Sequence, residues 1–402
     1  MSVAPLKIML VAGEPSGDAL GAELIKALRR LEGDRLTLIG SGGPLMRREG
    51  FVPLFGLEDT AVMGLREVVP KVPAILRRVR QARDLALTAM PDATVLIDSP
   101  DFTHRVARAI RKRAGANLRL IKYVAPQVWA SRPERAQKMR AFIDHVLCLL
   151  PFEPPFFEKY GLPASFVGHP VIERSRAMTG GDAFRARHGI GPSDPLLLVL
   201  PGSRTSEIGF LLPVFRKTVE LLARDVPGLR CVLPVVPNVA AKVKAGIADW
   251  PVPLTLIEDP TSKFQSFDAA DVAFAASGTV TTELALSRTP MLVGYKVGAL
   301  TAAIARRMVK VKYITLVNLI LDREAVPELV QENLTPRRAA EHLRRLFLDE
   351  GARKEQVESM EAATKALGEG GESPSLRAAR EILRIAGEGG PQRTRPIAYQ
   401  PK

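Results

Sequence analysis

A chain of 402 residues with a formal net charge of +14 is longer than one hydrophobic core usually spans, so two domains are expected. Hydrophobic residues at 46% and charged residues at 25% fit an ordinary globular protein, and no apolar run reaches the roughly 18–20 residues of a membrane span. The opening MSVAPLKIMLVAGE meets a glycine turn too early for a secretory signal, and Cys148 and Cys231 lie in apolar runs that suit buried thiols in a reducing compartment. These features predict a cytoplasmic protein.

The elements alternate along the chain. LKIMLVAG (6–13) reads as a strand, DALGAELIKALRR (18–30) as a helix and LTLIGSGG (36–43) as a second strand. GLREVVPKVPAILRRVRQAR (64–83) reads as a loop leading into a short amphipathic helix, because Pro70 and Pro73 break any long helix at its start. ATVLIDSPD (93–101) is a strand followed by the helical THRVARAIRKR, and RLIKYVAPQVWA (119–130) and HVLCLLP (145–151) are further strands. TGGDAFRARHGIGPSD (179–194) reads as a linker with a helix that leads into the second half. The alternation then restarts with LLLVLPG, LRCVLPVVP (229–237), LTLIED (254–259), VAFAASGT (272–279) and PMLVGY (290–295). Strand, turn, helix, strand is the pattern of a parallel sheet with right-handed crossovers. The expectation is α/β, with two doubly wound Rossmann-like domains: 1–175, 176–385 with its last helices able to cross back to the first domain, and a disordered basic tail over 386–402.

Basic residues cluster at ILRRVRQAR (75–83), HRVARAIRKR (104–113) and RRMVKVK (306–312). Such charge suits nucleic acid, anionic lipid or phosphorylated substrates. Aromatics are only 5%, too few for base stacking, so nucleic acid is not expected.

Ligands of open parallel sheets bind beyond the carboxyl ends of the strands, and three turns there stand out. In AGEPSGD (12–18), Glu14, Ser16, Gly17 and Asp18 precede a helix and form a candidate substrate site, with plain helix capping by Ser16 or Asp18 as the alternative. This is no G-x-G-x-x-G, so a nicotinamide cofactor is disfavoured. In IDSPDF (97–102), Asp101 falls where a cap is expected, whereas Asp98 ends the strand without that reason. No Asp-x-Asp occurs in the chain, which disfavours a carboxylate pair holding a nucleotide's metal. The third turn is double: PGSRTSE (201–207) offers Ser203 and Arg204, and ASGTVTTELAL (276–286) offers Ser277, Gly278 and Thr279 as a phosphate cradle. Arg204 supplies a fork matching a diphosphate, and Glu283, one helical turn on, can accept from ribose hydroxyls. Ordinary capping, and pairing of Arg204 with Glu207, are the alternatives.

LVAGEPSGDALGAELIKAL, GGPLMRREGF, AVMGLREVV, IDSPDFTHRVAR, KYVAPQVWA, LLPFEPPFFEKYGLPASFVGHP, LPGSRTSEI, ASGTVTTELAL, PMLVGYKV and REAVPELVQENLTP run in that order from residue 6 to about 345. The ordered set resembles the lipid-A-disaccharide synthase family. The resemblance implies a glycosyltransferase-B architecture whose two domains face each other across the active-site cleft. It implies transfer of 2,3-diacylglucosamine from its UDP carrier to the 6-hydroxyl of 2,3-diacylglucosamine 1-phosphate, with UDP as the leaving group. It adds Asn318, retained in LVNLILDRE, to the substrate-binding candidates. Ser131 in VWASR, and Val317 and Asp322, depart from the aromatic, Pro and Gly that the family commonly carries. Inverting transfer needs a base, a role open to Asp98, and charge stabilisation for departing UDP, open to Arg204 and the Ser277–Thr279 turn without metal or cofactor. Since both substrates carry acyl chains, Leu65, Val68, Val69, Val72, Ile75 and Leu76, set among basic residues, are expected to face an anionic leaflet of the inner membrane. The oligomeric state stays open, a homodimer included. A UDP-sugar 2-epimerase of the same fold and a non-enzymatic membrane scaffold are the competing readings.

Overall fold

In a computed structural model the described residues are 5–60, 65–308 and 311–388, the side chains of 65–70, 175–177, 300, 304, 305 and 308 excepted. They form two units, residues 1–170 with 371–402 and residues 171–370. The expected breaks at 175 and 385 therefore shift to 170 and 370, and most of the expected tail lies outside the described residues.

The first unit runs β1 (Leu6–Ala12), α1 (Pro15–Glu32), β2 (Leu36–Ser41), α2 (Pro44–Arg48), α3 (Leu65–Ala89), β3 (Ala93–Ile97), α4 (Pro100–Ala114), β4 (Leu120–Tyr123), α5 (Glu134–Met139), β5 (His145–Cys148), α6 (Glu153–Glu158) and β6 (Ala164–Phe166). Its sheet is parallel, in the order β2-β1-β3-β4-β5-β6. The continuous apolar strands are buried on both faces: Met9 and Val11 join one core with Leu96 and Val106, while Ile8, Leu10 and Ala12 join the other with Val95 and Leu24.

The second unit runs α7 (Gly181–Arg187), β7 (Leu196–Leu200), α8 (Thr205–Leu222), β8 (Arg230–Pro234), α9 (Ala240–Gly246), β9 (Leu254–Ile257), α10 (Pro260–Ala269), β10 (Val272–Ala276), α11 (Thr279–Leu286), β11 (Met291–Tyr295), α12 (Ala299–Met308), α13 (Leu316–Leu321), β12 (Glu328–Val330), α14 (Pro336–Leu348) and α15 (Glu350–Ala366). The sheet order is β12-β11-β10-β7-β8-β9, again parallel. The last helix, α16 (Pro374–Gly387), belongs to the first unit, where Ala378 and Ile382 share a core with Leu24 and Leu28 of α1.

Three expectations change. The segment around Pro70 and Pro73 is one helix of 25 residues, not a loop with a short helix. Pro70 and Pro73 are the sixth and ninth residues of this helix, past the four amides that a helix start leaves unpaired, so each costs one intrahelical hydrogen bond that the long span absorbs. The 119–130 strand is only four residues long, because Val124 takes a left-handed φ of 71° and turns the chain. Two three-residue edge strands, β6 and β12, carry too little pattern to be read in advance.

Candidate active site

Each sheet reverses its strand order once, and the reversals pick out two pairs of strand ends. In the first unit the chain leaves β1 for β2 on one side and returns to β3 on the other; in the second, β7 leads to β8 and β9 on one side and β10 begins the other. Such switch points open the crevice in which doubly wound folds bind ligands. The candidate residues after β1 and β3 lie at the first, and those after β7 and β10 at the second.

At the first switch point Gly17 brings α1 against the end of β3: a Cβ there would stand 3.1 Å from the Ile97 carbonyl oxygen and 3.7 Å from the Asp98 Cβ. Glu14 is half-buried and Ser16 exposed at the start of α1. Asp18 has a different place from the one expected. It is buried, and its carboxylate accepts from the amides of Gly43 (2.8 Å), Leu45 (2.9 Å) and Met46 (3.0 Å), sealing the start of α2. Three accepting sites of that carboxylate are taken by the chain's own amides, so Asp18 fixes the loop that opens α2.

Asp98 and Ser99 are consecutive left-handed residues, with φ of 48° and 42°. This conformation is costly for residues with a Cβ and concentrates at functional sites. Tyr123 accepts from the Asp98 amide at 2.9 Å, and the Asp98 carbonyl accepts from Thr103 Oγ1 at 2.8 Å and from Lys122 Nζ. Among the described residues the Asp98 carboxylate has no hydrogen-bond partner, and neither does the buried Ser99 hydroxyl. Lys122 is fully buried; desolvation lowers its ammonium to about 7, against the upward pull of Asp98 and Glu14. His104 is held down to about 3 by burial and then by Lys122, Arg108 and Arg135, so it is neutral. Sequence reasoning missed Lys122, although a lysine inside the apolar run RLIKYV was a legible signal.

Trp129 follows β4. Its indole donates to Glu153 Oε1 at 3.0 Å and meets the Phe152 ring edge-on. Burial pushes the Glu153 carboxyl up to about 7, opposed by hydrogen bonds from Leu150, Trp129 and Leu149.

At the second switch point Gly202, with a φ of 109°, turns the chain where a Cβ would lie 2.5 Å from Glu207 Oε2. Glu207 accepts from the amides of Ser203 (3.0 Å) and Arg204 (3.2 Å), and pairs with Arg204 Nη1 at 2.7 Å. The Arg204 side chain is nonetheless 70% exposed, which leaves most of the fork in solvent. Ser277 is half-buried, Gly278 and Thr279 are exposed, and together they open α11. Glu283 is buried and lies between two cations, Arg174 Nη1 and Lys263 Nζ, each at 3.0 Å.

Asn318 also has a different place from the one expected. Its amide nitrogen donates to the Val326 carbonyl (2.7 Å) and to Glu328 (2.8 Å), and its oxygen accepts from the amides of Ala325 (2.8 Å) and Val326 (2.9 Å). All four hydrogen bonds of which an Asn is capable are made inside the protein, so the residue ties a loop instead of offering itself to substrate. Glu328, to which Asn318 donates, also accepts from the Ile314 and Thr315 amides, and the Ile314 carbonyl accepts from Ser277 Oγ of the candidate phosphate cradle. The departures fit locally: Val317 is core, and Asp322 adopts the left-handed helix end, with φ of 49°, that Asp tolerates better than most residues.

On α3 only part of the expected apolar face is open. Val72 and Leu76 are each 41% exposed, but Ile75 packs against the first unit's core. The side chains of Leu65, Val68 and Val69 lie outside the described residues. Leu45, Val52 and Leu54 of the same unit are exposed as well. Among the described residues no helix is long and apolar enough to cross a membrane, and no three His, Cys, Asp or Glu cluster as metal ligands would.

Two parallel Rossmann-like units with their turns at strand-order reversals define a glycosyltransferase-B fold. Solved structures agree on that fold: MurG of Acinetobacter baumannii has a TM-score of 0.58 at 16% identity, over 94% of this chain and 100% of that one. The UDP-GlcNAc 2-epimerase from Neisseria meningitidis bound to UDP-GlcNAc has a TM-score of 0.55 at 14% identity, over 94% and 99%. The family model for lipid-A-disaccharide synthetase matches residues 8–382, and the chain belongs to that family. It is 47% identical to the lipid-A-disaccharide synthase of Rhodospirillum centenum over 95% of both chains.

Proposed function

We propose that this enzyme transfers 2,3-diacylglucosamine from UDP-2,3-diacylglucosamine to 2,3-diacylglucosamine 1-phosphate, giving the β-1,6-linked disaccharide 1-phosphate and UDP. The acceptor's 6-oxygen bonds to the donor's anomeric carbon as the bond from that carbon to the UDP phosphate oxygen breaks. The hydroxyl proton goes to Asp98, and the electron pair leaves with UDP. The observation that carries this reading is the Asp98 carboxylate, without a hydrogen-bond partner among the described residues and held in a left-handed turn at a switch point. Glu14, Ser16 and Gly17 shape the acceptor side, with Asp18 as a positioning residue. Ser203, Arg204 and the Ser277–Gly278–Thr279 turn take the diphosphate and Glu283 the ribose, with Asn318 fixing the loop beside them. Val72 and Leu76, among the basic residues of α3, contact the anionic inner leaflet from the cytoplasm. Acceptor-dependent UDP release from the diacylated donor tests the reaction. An epimerase would interconvert UDP-sugars with no acceptor and release no UDP in proportion to it; a scaffold would release none.

A further inference from the structure

We propose that Lys122 is a positioning residue for this transfer, holding Asp98 in the left-handed turn from which its carboxylate takes the acceptor's proton. The inference rests on the assignment of Asp98 as the base. Both main-chain polar groups of Asp98 are gripped by consecutive residues of β4: its amide donates to the Tyr123 carbonyl at 2.9 Å, and its carbonyl accepts from Lys122 Nζ. Lys122 Nζ also donates to Thr103 Oγ1 at 3.2 Å, and that hydroxyl bonds the Asp98 and Ser99 carbonyls at 2.8 and 2.9 Å. One amine thus ties the end of β4 to both strained residues and to the first turn of α4.

The residue type is informative. The neighbours of Lys122 on β4, Leu120, Ile121 and Tyr123, are buried without charge, and a buried ammonium opposes folding unless it is compensated. A site serving packing alone is better met by an aliphatic side chain of that length. Compensation here comes from the two carboxylates facing it, Asp98 at the end of β3 and Glu14 at the start of α1. His104 of α4, which is neutral, is a further titratable group in the amine's field. The fold buries a lysine amine, at a cost to its charged form, where it fixes one strained carboxylate residue.

The test is a double-substitution cycle in the full-length enzyme: Lys122→Met, Asp98→Asn and both together, with kcat and KM measured for donor and acceptor. Misaiming a reacting group by an ångström costs on the order of 10²-fold. Lys122→Met is therefore expected to lower kcat on that order with KM for both substrates essentially unchanged. Because Lys122 acts through Asp98, the double variant should be no slower than Asp98→Asn alone. Lys122→Gln, which keeps an N–H donor with less reach, should recover part of the loss. A folded Lys122→Met enzyme with parental kcat, or a double variant slower by the product of the two single effects, overturns the proposal. If Lys122→Met does not fold, the same cycle with Lys122→Gln decides by the same additivity criterion. Parental turnover in Asp98→Asn by itself removes the base assignment and this inference with it, whereas failure confined to the Lys122 variants leaves the base assignment standing.

Discussion

At the first switch point two consecutive residues with side chains, Asp98 and Ser99, are bent into left-handed backbone and a lysine amine is buried beside them. At the second a glycine, Gly202, carries the turn, and the cation, Arg204, stays in solvent against a buried Glu207. The same strand-end geometry thus supports two kinds of site. A single carboxylate that must meet one proton has to be aimed, which justifies strain held by a buried clamp. A diphosphate is large, doubly charged and met by a fork, so exposed donors on a relaxed turn suffice.

Breaking the first site should have the largest effect. Asp98→Asn keeps the size and tolerates the left-handed backbone but removes the proton acceptor. Turnover should fall by about 10²–10⁴-fold with the melting temperature retained; parental turnover would refute the role.

The second site should respond less steeply and more gradedly. Losing a donor to developing charge costs about 10²–10³-fold, so Arg204→Ala is expected to fall in that range. Arg204→Lys should recover only part, because a point charge lacks the fork. Full recovery by lysine would mean that Arg204 serves mainly as the partner of Glu207.

The contrast in burial sharpens into a pH test of stability. The Lys122 amine falls from its ordinary 10.5 to about 7 on folding. Between those values the unfolded chain holds a proton that the folded protein does not, so stability should rise with pH from about 7 to about 10.5. Urea unfolding across that range should lose this rise in Lys122→Met. A rise that persists unchanged in Lys122→Met would assign it to another group.

Asn318→Ala tests how the second turn is supported. It leaves the Ala325 and Val326 amides without their acceptor, and unpaired buried groups cost about 1–3 kcal/mol. A lower melting temperature is expected, with donor KM rising through the Ile314–Ser277 contact. Parental stability would show that the loop closes without Asn318.

Much of this contrast was legible in the sequence. The apolar runs, the glycine turns and the alternation gave both sheets, because parallel strands buried on two faces need continuous hydrophobic stretches. Asp98 and Arg204 stood out as polar residues at strand ends. What stayed hidden depends on tertiary partners. Asp18 and Asn318 look like ligand-binding residues until the amides that fill them, from Gly43 to Met46 and at Ala325 and Val326, are in place. Lys122 stands inside a legible apolar run, but the Asp98 carbonyl and Thr103 hydroxyl that its amine bonds come from other elements and show only in the fold. The prolines of α3 looked like breakers, yet the helix starts before both and runs through them.

The smallest effect is expected on the outside of the first unit. Val72 and Leu76 are exposed on α3 while Ile75, between them in sequence, faces the core, so the helix offers a narrow apolar edge. Arg77 and Arg78 both lie near Asp59, at 3.7 and 2.7 Å, which removes part of the positive charge from that edge. Each free basic residue near an anionic leaflet contributes about 1 kcal/mol, and a partly buried aliphatic contributes a comparable amount. Val72→Ser with Leu76→Ser should therefore weaken binding to phosphatidylglycerol-containing vesicles by roughly thirtyfold. Turnover on detergent-dispersed substrates should be unchanged, because neither residue touches the switch points. Raising salt should weaken vesicle binding of parent and variant alike, since their charges are the same. Equal vesicle binding by the two would place the membrane contact elsewhere, and unfolding of the variant would show that the edge is core.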